Sequence, residues 1–175
     1  VMCNVEEMPE TTLANVYCYE SLLEGCEPHY EWPQFDENTA SSLCYTSGTT
    51  GNPKGVLYGH RSTVLHSWCA SSADGLGIRN DDSLLVIVPM FHANAWGTPY
   101  AAPMWGAKMG FPGPHLDGES LVELIQKDGV ILSAAVPTVW LGILQYLKNS
   151  GKDLGCLERV VIGGTAAPPV MVRTL

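Results

Sequence analysis

A chain of 175 residues that is 46% hydrophobic and 15% charged has room for one ordinary domain with a sizeable core. Its formal charge of −9, from 18 acidic against nine basic residues, excludes a general nucleic-acid or anionic-membrane binder, which would need a basic face. With 18 glycines and 12 prolines the composition is loop-bearing but far from disordered. The six cysteines form no Cys-x-x-Cys pair and several sit in apolar stretches, so they read as reduced, mostly buried thiols of a cytoplasmic protein. No signal peptide opens the chain, and no apolar run approaches the roughly 20 residues of a membrane span, so no transmembrane segment is expected.

Taken in order, residues 12–25 read as a short helix with Leu13, Val16, Leu22 and Leu23 on one face and Gly25 as its stop. Residues 27–38 are polar and hold Pro28 and Pro33, which makes them a connecting loop. Beyond them short apolar runs at 42–46, 55–58, 83–88, 107–111, 130–134 and 159–162 read as strands. Helical patterns at 60–72, 93–105, 117–127 and 137–149, with another beginning at Pro168, fall between and after them. Asp117 is the expected N-cap and Gly129 the expected stop of the third of these helices. Strands alternating with helices at this spacing predict an α/β fold with a mainly parallel sheet and flanking helices, the sheet buried on both faces.

Chemistry concentrates in Thr46-Ser-Gly-Thr-Thr-Gly-Asn-Pro-Lys-Gly55, which follows a predicted strand. Its glycines let the backbone approach phosphate, and the hydroxyls of Ser47, Thr49 and Thr50 can donate to phosphate oxygens or ligate Mg²⁺. Lys54 supplies a point charge and Pro53 stiffens its approach. A site of this kind has to build local positive potential against the acidic balance of the whole chain. The Walker pattern fails because Lys54 lies between Pro53 and Gly55, and no Gly-x-Gly-x-x-Gly fingerprint occurs in the stretch.

On these residues the chain resembles the adenylate-forming (AMP-binding) superfamily: Tyr45-Thr-Ser-Gly-Thr-Thr-Gly-Asn-Pro-Lys-Gly-Val56 fits its phosphate-binding motif without a gap. Val88-Pro-Met-Phe-His92, Ala135-Val-Pro-Thr-Val-Trp140 and Val161-Ile-Gly-Gly-Thr-Ala-Ala-Pro168 are similar to three further family segments. The run Pro89-Met-Phe-His-Ala-Asn-Ala-Trp96 resembles bacterial medium- and long-chain fatty-acyl-CoA synthetases in particular. The resemblance implies part of the N-terminal adenylation domain of an acid–thiol ligase of fatty-acid metabolism. Such an enzyme joins a carboxylate to AMP with loss of pyrophosphate, then transfers the acyl group to CoA. ATP, Mg²⁺ and the cosubstrate CoA are the implied cofactors, and a small carboxylic acid the implied partner.

Carried over residue by residue, the resemblance gives Thr46, Ser47, Gly48, Thr49, Thr50, Gly51 and Lys54 to the phosphates. It gives Gly163, Gly164, Thr165 and Ala166 to the adenine and the acyl group. A threonine hydroxyl, Thr49 or Thr50, would lie close to Mg²⁺, with Thr50 taken as the metal contact. Thr50, Lys54 and His92 are the expected catalytic groups, because charge stabilisation dominates the first step. A lone histidine after an apolar strand is ordinarily structural, but the Pro-Met-Phe-His setting assigns His92 to the substrate carboxylate. Val136 and Gly164 would touch the acid. Trp96, four residues after His92 and so on the same face of a helix, would wall or gate an acyl tunnel, with plain core packing as the alternative. Ala93, Ala95, Gly97, Val136, Gly164 and Ala166 are slim enough to leave such a tunnel open.

Both ends look cut from something longer. Residues 1–38 read as the end of a preceding subdomain plus a linker, and 39–175 as an incomplete α/β subdomain lacking the C-terminal domain and its lysine. The piece by itself is expected to be nearly inactive, and the uncovered sheet leaves room for a homodimer. Competing readings are a ligase for short, aryl or sulfur-containing acids and a non-catalytic nucleotide-binding module.

Overall fold

Strand β3 (Ser83–Val86) and the residues after it are apolar on both sides, which suits a strand covered by helices above and below. In the computed structural model residues 2, 5, 7–46 and 51–175 are described, and the chain divides into two units, Val1–Phe35 and Asp36–Leu175. In the first unit the 12–25 helix is cut down to α1 (Tyr19–Leu23), although Gly25 still adopts a left-handed turn beyond its end. Of the apolar face predicted for it, Val16 is half-buried, while Leu13, Leu22 and Leu23 are exposed among the described residues. A short helix without tertiary packing has little to offset the cost of its nucleus.

In the second unit the first two predicted strands, β1 (Ala40–Thr46) and β2 (Lys54–Gly59), pair antiparallel in a sheet of their own. The link 47–53 is shorter than the dozen or so residues a parallel crossover requires. After α2 (His60–Ser71) comes β3, then α3 (Ala93–Trp96), α4 (Thr98–Trp105), β4 (Lys108–Gly110), α5 (Gly118–Asp128), β5 (Leu132–Ala135), α6 (Pro137–Ser150), β6 (Arg159–Ile162) and α7 (Pro169–Thr174). Strands β4-β3-β5-β6 form one parallel sheet in that order, as the alternating pattern predicts.

Alternation along β3 sorts its side chains. Leu85 and Ile87 enter one core with Leu121, Ile125, Trp140, Ile143 and Met171 of α5, α6 and α7. Leu84, Val86 and Val88 face the other side with Ala95, Ala101, Ala102 and Ala134. Buried Ser133 is satisfied by donating to Leu85 O at 3.0 Å. At the amino edge of the sheet Arg159 forms an ion pair with Asp82, and Arg159 Nη1 donates to Leu76 O at 2.9 Å. Among the described residues Cys18, Cys26, Cys44, Cys69 and Cys156 are free thiols, but the expectation that they are mostly buried fails, since Cys44 is buried while Cys26, Cys69 and Cys156 are exposed. No helix among these residues is long and apolar enough to cross a membrane.

Candidate functional site

In the order β4-β3-β5-β6 the chain winds away from β3 in both directions, so the segments leaving the carboxyl ends of β3 and β5 part and open a crevice. Three of the sequence-picked segments end there: 89–96 after β3, Val136 after β5 and Gly163 to Ala166 after β6. Gly163 N donates to Ala135 O at 3.4 Å, which keeps the β6 exit beside that of β5. Val136 caps α6 and is half in solvent; an added Cβ at Gly164 would lie 3.1 Å from its Cγ1. Thr165 and Ala166 are exposed.

The predicted helix over 93–105 is not one helix. Ala93, Asn94, Ala95 and Trp96 have φ of 45°, 51°, 49° and 56°, a full left-handed turn, and Gly97 at φ 76° separates it from α4. His92 stands before it as an exposed extended residue, so the expectation that His92 and Trp96 share one helical face fails. Left-handed conformation costs an ordinary L-residue about 1–2 kcal/mol, and asparagine is among the few that tolerate it. The surroundings impose it: Ala95 is buried against Val86, Val88 and Ala134, and Thr98 Oγ1 donates to Ala95 O at 2.8 Å. The sequence carries the slim residues such a turn permits, but 3.6-residue periodicity cannot tell one hand from the other.

The turn, β2 and α2 enclose a cavity of about 360 Å³ lined by Tyr58, Ser62, Thr63, His66, Ala93, Asn94, Trp96, Gly97 and Tyr100. His66 and Trp96 also border a second hollow of about 270 Å³ with Ala70, Leu76, Ala134 and Val161. These two rings form the waist between the spaces. His66 Nε2 lies 3.3 Å from Trp96 O, a Cβ on Gly97 would lie 2.6 Å from His66 Cδ2, and one on Gly163 would lie 2.7 Å from Trp96 Cη2. Trp96 is therefore fitted between glycine and histidine at a cavity wall. His66 and Tyr58 escaped the sequence reading. The available signal was the spacing of Ser62, His66 and Ala70 along one face of α2. His92 lines neither space.

The sequence-picked run 46–55 begins at the end of β1 and finishes at the start of β2, two strands that pair antiparallel. Thr46 and Lys54 are register partners at its base, and Thr46 Oγ1 approaches Lys54 O at 3.5 Å. Lys54 and Gly51 are exposed, and among the described residues Lys54 makes no ion pair, which leaves its ammonium available. Ser47, Gly48, Thr49 and Thr50 lie outside the described residues. Among the described residues no group of three His, Cys, Asp or Glu side chains is placed to hold a metal ion.

A family model described as AMP-binding enzyme matches residues 4–175. The chain belongs to the AMP-binding enzyme family. Members similar to it include the 3-methylmercaptopropionyl-CoA ligase of Ruegeria lacuscaerulensis, 56% identical over 156 residues, which are 89% of this chain and 29% of that protein. The medium-chain-fatty-acid–CoA ligase of Ectopseudomonas oleovorans is 53% identical over 92% of this chain and 30% of its own length. In structure, the inhibitor-bound N-terminal domain of FACL13 from Mycobacterium tuberculosis aligns with a TM-score of 0.77 at 27% identity, covering 90% of this chain and 39% of that one. This AMP-binding chain thus spans less than a third of the length of the two curated ligases. The family read from the hairpin loop is the family matched, and the α/β fold with its mainly parallel sheet is that of its structural relatives.

Proposed function

We propose that the protein carrying this chain is a cytoplasmic, AMP-forming acid–thiol ligase that adenylates a medium- to long-chain aliphatic carboxylate and passes the acyl group to CoA. The observation that carries the proposal is the aromatic-walled cavity of about 360 Å³ between β2, α2 and the segment that follows β3, a size suited to a small-molecule substrate. Trp96, Val136 and Gly164 would contact the acid, and His92 would orient its carboxylate from the mouth of the crevice. The backbone of Gly163, Gly164, Thr165 and Ala166 would lie against the nucleotide. Lys54, with Thr46, Ser47, Gly48, Thr49, Thr50 and Gly51, would hold the phosphates and steady the departing pyrophosphate by charge and hydrogen bonding. Bound ATP would supply the leaving group, and Mg²⁺ would neutralise phosphate charge. Thr50 and the phosphate oxygens would be the ligands, in keeping with the preference of Mg²⁺ for oxygen and for few protein side chains.

A second reading, a short sulfur-containing acid, is favoured by the name of the Ruegeria relative. Both are tested by supplying the full-length protein with ATP, Mg²⁺, CoA and a panel of acids from about four to sixteen carbons, with methylthio acids beside them. If the first reading holds, kcat/KM climbs by roughly fourfold per added methylene until the cavity is full, as about 0.8 kcal/mol per buried methylene requires. A peak at a short thioether acid selects the second. No acyl-CoA from any aliphatic acid overturns both.

A further inference from the structure

The left-handed turn is fastened to β1 by one side chain. Asn94, half-buried, accepts from Cys44 Sγ at 3.1 Å through its Oδ1 and donates to Ser42 Oγ at 2.9 Å through its Nδ2. Both ends of the carboxamide are used, and the partners sit on the same strand two residues apart, so the amide bridges them like a clasp. Cys44 is itself buried, which fixes one arm of the clasp. Asparagine is also the residue of the four best able to occupy this backbone conformation. On one side of Asn94 stands His92, and on the other Trp96, which walls the cavity. The right-handed turn is the ordinary conformation for these L-residues, so the left-handed one needs contacts to hold it.

We propose that Asn94 is a positioning residue for acid recognition: clasped between Cys44 and Ser42, it holds residues 93–96 left-handed and so keeps Trp96 as a fixed wall of the acyl cavity. It acts through Trp96 rather than on the reacting atoms; its own side chain also borders the cavity, so Ser42, which does not, carries the separating test, and the assignment rests on the ligase reading above. The clasp makes no contact with Lys54, so its loss is expected to bear on the acid more than on ATP.

The decisive comparison uses the full-length protein with Asn94→Gly and Asn94→Asp. Glycine accepts the left-handed backbone without strain but also frees the chain, so a deficit in Asn94→Gly reports the clasp where Ser42→Ala, which keeps Asn94 in place, shifts the acid KM in the same direction. Asn94→Gly is expected to raise KM for the preferred acid about tenfold, worth about 1.4 kcal/mol, and to flatten the ranking of chain lengths, with kcat and KM for ATP within about twofold of wild type. Asn94→Asp is expected to restore most of the loss, since its carboxylate accepts from both the Cys44 thiol and the Ser42 hydroxyl. Ser42→Ala, which removes only one arm, is expected to raise the acid KM about threefold and serves if the other variants fail to fold. An unchanged acid KM and ranking in folded Asn94→Gly, or equal losses for acid and ATP, overturns the assignment. Amide hydrogen exchange over residues 92–98 gives a readout independent of turnover, with about tenfold faster exchange expected in Asn94→Gly and no change overturning the clasp. If wild type activates no acid at all, the ligase reading falls while the exchange experiment still decides the clasp.

Discussion

Helix α5 and the segment 93–105 have similar lengths and similar sequence-level credentials, yet one formed as written and the other did not. In α5 every local signal agrees: Asp117 accepts from Ser120 N at 2.9 Å as an N-cap, Gly129 closes the end left-handed, and Leu121, Val122 and Ile125 enter the core. In 93–105 the backbone reverses hand for four residues, stops at Gly97 and starts again as α4. The difference teaches where packing overrules propensity. Helix α5 lies flat on a finished sheet face, whereas 93–96 must bring Ala95 down onto β3 and β5 and still lift Trp96 to a cavity wall. Local rules break where the chain serves a site, and surrounding contacts sustain the cost.

The comparison breaks most visibly in the core that α5 shares with α6. Trp140 is fully buried and donates from Nε1 to Val161 O at 3.3 Å. Trp140→Ala is expected to lose roughly 4 kcal/mol in urea denaturation, from the cavity and the orphaned carbonyl together. On the other side of the comparison, Gly97→Ala asks an L-residue to take φ 76° and sets a Cβ within 2.6 Å of His66 Cδ2. A loss of about 2 kcal/mol is expected, with a raised acid KM as His66 is pushed from the waist and an unaltered KM for ATP. A Gly97→Ala protein of wild-type stability and acid KM would mean that the turn is easier to deform than its contacts imply.

The smallest effect belongs to the cap of α5. Hydrogen bonds from the backbone and hydroxyl of Ser120 hold the Asp117 carboxyl below its ordinary pKa. A lowered folded-state value means that Asp117 stabilises the fold above its unfolded pKa, and that the contribution fades as pH falls through the folded one. Asp117→Ala is expected to lower Tm by about 2 °C at neutral pH and by nothing measurable once the carboxyl is protonated in both states. Equal shifts at both pH values would assign the effect to something other than the cap.

The segments that make up the candidate site were legible to different degrees, for physical reasons that differ from residue to residue. The loop from Tyr45 to Val56 is readable as a family motif because its glycines, hydroxyl residues and lysine fall at adjacent positions, so the pattern is local. Gly163 and Gly164 were likewise marked by a local run. His66 was not, since its importance comes from a packing between α2 and the 93–97 turn that joins residues 30 apart in sequence. Asn94 entered the sequence reading only inside a motif; its two partners, 50 and 52 residues upstream, gave no local sign.

By itself the sequence determined the alternation of strands and helices, the buried parallel sheet, the caps of α5 and the hairpin loop that marks the AMP-binding family, because each depends on neighbours within a few residues. Tertiary structure decided the rest. It shortened the helix over 12–25 to α1, paired β1 with β2 apart from the main sheet, and turned 93–96 left-handed. It also placed His66 against Trp96. Each of these outcomes is fixed by which surfaces meet, and that is settled only when distant segments compete for the same space.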